Sequence, residues 1–179
     1  MKNLLFAALS ITLLFSCKES EKTEPVAEAA PVVAEPVVNY PFKAMVSDFK
    51  IGNPQNTVTV MEMYKILEAG TSIDSLLLPY FADTVTSVSF DHREFRGPAT
   101  EFIKKVSAFR GQFKTVNEEF LSHVSLHSDE KDLDMVSIWF KERAIRLNGK
   151  PDSTLYQENW RFNKDGKIYY RAAFARYGF

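Results

Sequence analysis

The order of local signals along the chain predicts an α+β fold, with helical segments first, then a strand pair and a helix, then long antiparallel strands. Two observations carry this expectation. Between Asn53 and Phe81, apolar residues recur at helical spacing behind capping signals. From Glu118 onward, apolar and polar residues alternate, as they do in a half-buried sheet.

Ahead of the folded part, Lys2 and the apolar stretch from Leu4 to Ser16 read as a secretory signal, because a membrane span needs about 20 apolar residues. The run Leu14-Phe15-Ser16-Cys17 resembles the lipobox of bacterial lipoproteins, which implies lipidation at Cys17 after removal of residues 1–16. An ordinary cleaved signal followed by an incidental cysteine is the competing reading. Residues 17–40 read as the lipidated cysteine and an extended tether. Pro25, Pro31 and Pro36, scattered among Ala, Val and Glu, disfavour helix and sheet there. Lys18-Glu19-Ser20-Glu21 resembles the acid-containing export signal of surface lipoproteins in the Bacteroidetes group. Its implied address is the cell envelope, at an outer membrane, with display on the surface. Acyl chains at Cys17 would then be the membrane contact.

Residues 41–179 form the expected domain, with its core in 53–179. Asn53-Pro54 opens the first helix and Gly70 stops it, with Val58, Met61 and Ile66 on one face. Thr71 or Ser72 caps a second, shorter helix through Leu76, Leu77, Tyr80 and Phe81, weakened by Pro79. The β-branched run Thr84 to Phe90 predicts a strand, and Glu94 to Arg96 its return. Pro98 opens a third helix, carrying Phe102, Val106 and Phe109. Glu118 to Leu126 and Asp134 to Leu147 are long enough to be curved or bulged strands. Asn148-Gly149 turns the chain into Leu155 to Asn163, where Tyr156, Glu158, Trp160 and Phe162 share a face. After Lys164-Asp165-Gly166, Ile168, Tyr170, Ala172 and Phe174 share a face of the last strand.

This order resembles the nuclear transport factor 2-like, or SnoaL-like, superfamily. The best-matching pieces are Tyr80-Phe81-Ala82-Asp83, Gly97-Pro98 and Trp160 to Ile168. The resemblance implies a cone-shaped, curved mixed or antiparallel sheet packed on about three N-terminal helices, with a ligand at the cone's mouth. It also implies a homodimer formed through the sheet.

Composition narrows the function. Lys and Arg number 22 against 23 Asp and Glu, so no basic excess exists to neutralise nucleic-acid phosphates. One cysteine allows no intramolecular disulfide. His123 and His127 lie four strand residues apart, roughly 13 Å, too far to share a metal, and no metal or cofactor is expected.

Glu158 is the leading titratable residue, because a carboxyl among aromatic rings has its charge disfavoured. The resemblance to ketosteroid isomerase-like members places Glu158 at their pocket acid. The rest of that set does not transfer in register: Met63 or Tyr64 meets the helix tyrosine, and Ser89 or Asp91 meets the base. Tyr64, Tyr80, Asp83, Trp139, Glu158 and Trp160 are the expected pocket residues. The leading reading is binding of a small apolar or amphipathic molecule, or of a protein partner. The alternatives are a cofactor-free isomerase, hydratase or lyase using Glu158, and a purely structural dimer.

Overall fold

The computed structural model describes Pro41 and residues 44–178. The signal, Cys17 and the tether lie outside the described residues. Pro41–Phe179 form one compact unit.

The first helix begins where the sequence caps it. Asn53 accepts the Gln55 N–H at 3.0 Å, and Pro54 occupies the first turn of α1 (Pro54–Ala69). Gly70 ends it at φ +70° and donates to the Ile66 carbonyl, a left-handed cap that favours glycine. A Cβ there would also sit 2.7 Å from Arg110 Nη2. That contact matters because Arg110 covers the helix end: Nε donates to the Leu67 carbonyl at 2.6 Å and Nη2 to Glu68 at 3.0 Å.

The buried face of α1 differs from the expected one. Val60, Met63 and Tyr64 are buried, whereas Val58 is 42% exposed. Val60 and Tyr64 stand four apart and Met63 joins them from three ahead, so the stripe is rotated from the Val58–Met61 line. The second helix, α2 (Ile73–Leu77), lasts five residues before Pro79 enters a 3₁₀ turn over Leu78–Tyr80. The strand β2 (Phe81–Val88) therefore starts three residues earlier than Thr84. Then follow β3 (Glu94–Pro98) and α3 (Ala99–Arg110).

Four long strands complete the chain: β4 (Phe113–Ser128), β5 (Leu133–Arg146), β6 (Pro151–Phe162) and β7 (Ile168–Tyr177). With the two-residue β1 (Lys50–Ile51), the seven strands run β1-β4-β5-β6-β7-β2-β3 in one curved, unclosed sheet. Only β2 and β7 pair in parallel, so the sheet is mixed. The three helices and the sheet make the α+β architecture that the sequence predicts.

Among the register shifts of the sheet, two set the phase of the side chains discussed below. In β4, Phe120 pairs with Phe140 and Ser122 with Trp139, leaving Leu121 as an extra residue. In β7, Ile168 pairs with Phe162 and Tyr170 with Arg161, leaving Tyr169 extra. Each bulge reverses which side chains point inward along its strand. Beyond Tyr169 the inward positions are Arg171 and Ala173, opposite Trp160 and Glu158. Arg171 therefore points inward, and the single face expected for Ile168, Tyr170, Ala172 and Phe174 breaks after Ile168. The joint core is made by Met63 and Leu77 from the helices against Ile138, Phe140 and Ile168 from the sheet, all nearly inaccessible.

Candidate functional site: a cavity with two carboxyl centres

Between the helices and the inner face of the sheet lies a cavity of about 480 Å³. Most of its wall is apolar, from residues such as Leu67, Phe81, Phe102, Val116 and Phe140. Tyr156 stacks on Phe140 at 5.1 Å, and the Tyr64 ring meets Phe140 at 4.8 Å, so the aromatic wall is continuous. Polar side chains interrupt it, among them two groups centred on buried carboxyls, with Ser87, Ser89, Arg93, Glu94, Lys105 and Arg110 elsewhere in the lining.

The first centres on Glu158, which is 1% exposed. Strict alternation along β6 aims it inward between Tyr156 and Trp160. Tyr64, carried by the buried stripe of α1, donates its hydroxyl to Glu158 Oε2 at 2.5 Å. Arg171, turned inward by the Tyr169 bulge, donates to Oε1 and lies 5.4 Å from the Trp160 ring. Burial opposes the Arg171 charge, but Glu158 beside it outweighs that and raises its pKa. Burial, and then the Glu158 charge, push the Tyr64 hydroxyl well above its usual range. Both Glu158 oxygens thus have a donor. The arrangement is a paired carboxylate, with a tyrosine held neutral.

The second centre was not anticipated. Glu118 on β4 and Glu142 on β5 are direct cross-strand partners, and both line the cavity. Burial and the neighbouring Glu142 push the Glu118 carboxyl up to about 10, and burial also raises Glu142. With both carboxyls ionised, Glu118 Oε2 is buried without a donor. Shifts in this direction favour the protonated form, and a proton on Glu118 would give Glu142 a donor. The other Glu118 contact is through its backbone N–H, which donates to Glu68 Oε1 at 2.5 Å. Trp160, which also lines the cavity, carries an indole Nε1–H that is buried and has no acceptor.

Of the expected pocket residues, Tyr64, Glu158 and Trp160 line the cavity together, with Met63 and Ser89. Tyr80 packs against the core from the 3₁₀ turn, away from the lining. Asp83 is exposed in β2 rather than closing a helix, because the strand starts at Phe81. Trp139 is 38% exposed; it pairs with Gln157 on the outward phase of β5, between the inward Ile138 and Phe140. Asp91 bonds Arg93 in the β2–β3 turn. His127 stands between Asp134 at 2.9 Å and Asp129 at 3.1 Å.

The overall fold is shared with solved proteins. A similar structure is an NTF2-like protein of unknown function from Exiguobacterium sp. 255-15, with a TM-score of 0.53 over 66% of this chain and 98% of that one. The domain has the nuclear transport factor 2-like fold. At 19% identity, that likeness establishes the fold alone. A second similar structure is AusH from Aspergillus nidulans, with a TM-score of 0.56, 12% identity, and coverage of 71% of this chain and 87% of that one. No protein-family model matches the sequence, and no curated protein does. Among the described residues, no helix is long and apolar enough to cross a membrane.

Proposed function

We propose that this protein is an envelope-anchored lipoprotein whose nuclear transport factor 2-like domain binds a small apolar or amphipathic molecule without transforming it. The observation that carries the reading is the cavity itself. At about 480 Å³, with aromatic walls and few polar atoms, it has the size and lining of a small-molecule site. Glu158, the acid of the competing isomerase, hydratase or lyase reading, has both oxygens engaged by Tyr64 and Arg171. A carboxylate so paired holds its neighbours in place and is poorly disposed to take a proton from a substrate. The anchor rests on the Cys17 pattern, and acyl chains there would hold the protein at a membrane.

Trp160 lies in the cavity and Trp139 outside it, so a Trp139→Phe chain reports cavity occupancy through one indole. Titrating that chain with an apolar probe such as 1-octanol should shift or quench Trp160 emission saturably. An emission that does not change, with no heat of binding, would sink the ligand reading. Mass spectrometry of the chain recovered from its native envelope should find a diacyl or triacyl Cys17 and a co-purifying small molecule.

A second surface supports self-association. Trp139, Gln157 and Phe174 form one cross-strand row on the outer face of β5, β6 and β7, and Phe174 is 57% exposed. An exposed aromatic row on an open sheet suits a homodimer.

A further inference from the structure

We propose that the Glu118–Glu142 pair is the seat for the protonated amine of an otherwise apolar ligand. This rests on the ligand-binding reading above and names the head group that the cavity selects. The two residues are held opposite each other by the β4–β5 register, and both line the cavity beside its aromatic wall. When both carboxyls are ionised, Glu118 Oε2 has no donor from the protein. An ammonium N–H supplies one, and its charge offsets the two carboxylates better than a shared proton does.

The other cations that line the cavity are engaged elsewhere: Lys105 lies 5.7 Å from the Phe95 ring centre and Arg93 pairs with Asp91. On α1, Tyr64 is committed to Glu158, and Glu68 is itself an acid that raises the Glu118 pKa. From α3, Arg110 pulls Glu142 down, but its guanidinium is bonded to the carbonyls of Leu67, Glu68 and Phe113. On β6, Asp152 and Glu158 add negative charge, and each is already paired, with Arg146 and Arg171. Tyr156, raised by burial, stays neutral and offers its ring, with Phe140, to a cation. An independent sign of an occupant is Trp160, a cavity-lining residue that is 3% exposed and whose Nε1–H has no acceptor. A buried donor left unpaired costs about 1–3 kcal/mol, which an oxygen elsewhere on the ligand would relieve.

The test keeps the tail and changes the head. The full chain is titrated by calorimetry with n-octylamine, 1-octanol and octanoate at pH 7. Octylamine should bind at least about tenfold tighter than octanol, with octanoate weakest. Its binding should release about one proton, read from the dependence of heat on the ionisation enthalpy of the buffer. Octanol binding as tightly as the amine would overturn this inference and leave the cavity reading standing. No binding of any of the three probes would overturn both. The Glu118→Gln/Glu142→Gln chain should keep octanol and lose the preference for amine; retained preference would refute the seat. Should that chain fail to fold, the proton count of the unaltered chain decides, and a count of zero refutes it.

Discussion

Strands β6 and β7 lie side by side, share the cavity, and are built differently. Along β6 every second residue from Thr154 to Phe162 is buried, so the strand delivers Tyr156, Glu158 and Trp160 inward with no break in phase. Along β7 the extra residue Tyr169 breaks the phase, and Arg171 arrives opposite Trp160, within reach of Glu158. A regular strand places a charge in the cavity; its bulged neighbour places the countercharge. Burying a carboxylate this deeply is tolerable only when it is paired and hydrogen-bonded. The irregularity in β7 is therefore what makes the regularity of β6 affordable.

Removing the bulged strand's contribution tests that dependence and should give the largest effect. Arg171→Met strips Glu158 of its cation and should cost about 3–5 kcal/mol of stability in urea denaturation. Adding Glu158→Leu should recover most of the loss, since an apolar pair of similar volume replaces the ion pair. A single Arg171→Met chain as stable as the unaltered one would show that the two strands are not energetically linked.

The same contrast explains what could be read from the chain. Alternation across Tyr156, Glu158, Trp160 and Phe162 is visible as sequence, and so are the Asn53 cap, the Gly70 stop and the Pro98 helix start. The α+β order followed from these. A bulge adds one residue without any local signature, so a period of two counted through it assigns the wrong face. Counting through Tyr169 put Arg171 outside. Counting back from the β4–β5 turn, where Ser128 pairs with Leu133, would set Glu118 opposite Arg143; the extra Leu121 sets it opposite Glu142 instead. Both unexpected polar contributions thus sit just past bulges. Trp139 failed for a simpler reason: β5 carries Ile138 and Phe140 inward on either side of it, and large apolar size does not reveal which phase is buried.

The bulge in β4 predicts an effect of opposite sign and smaller size. Where β7 brings unlike charges together, β4 brings two acids together, and one of them is better neutral. Folding raises the pKa of Glu118 from an ordinary carboxylate value to about 10, and burial also moves that of Glu142 upward. The folded state therefore binds more protons than the unfolded one between these limits, so stability falls as pH rises from about 4.5 towards 10. Glu118→Gln removes that titration and gives Glu142 an amide donor. It should raise stability at pH 8 by about 1–2 kcal/mol and flatten the melting temperature against pH. A loss of stability at pH 8 would mean that the carboxyls attract no shared proton.

The smallest effect belongs to the outward phase of the same bulged strand. Phe174 lies three residues beyond Arg171, but on the opposite face, and is more than half exposed. Substituting Phe174→Ser should change the stability of the isolated fold by no more than about 0.5 kcal/mol, because little buried area is lost. If the outer row joins two copies, the same substitution should lower the sedimentation coefficient at high concentration while leaving octylamine affinity unchanged. A stability loss as large as that of Arg171→Met would mean that the Tyr169 bulge does not divide β7 into an inner and an outer row, and the account of how the cavity obtains its cation would fail with it.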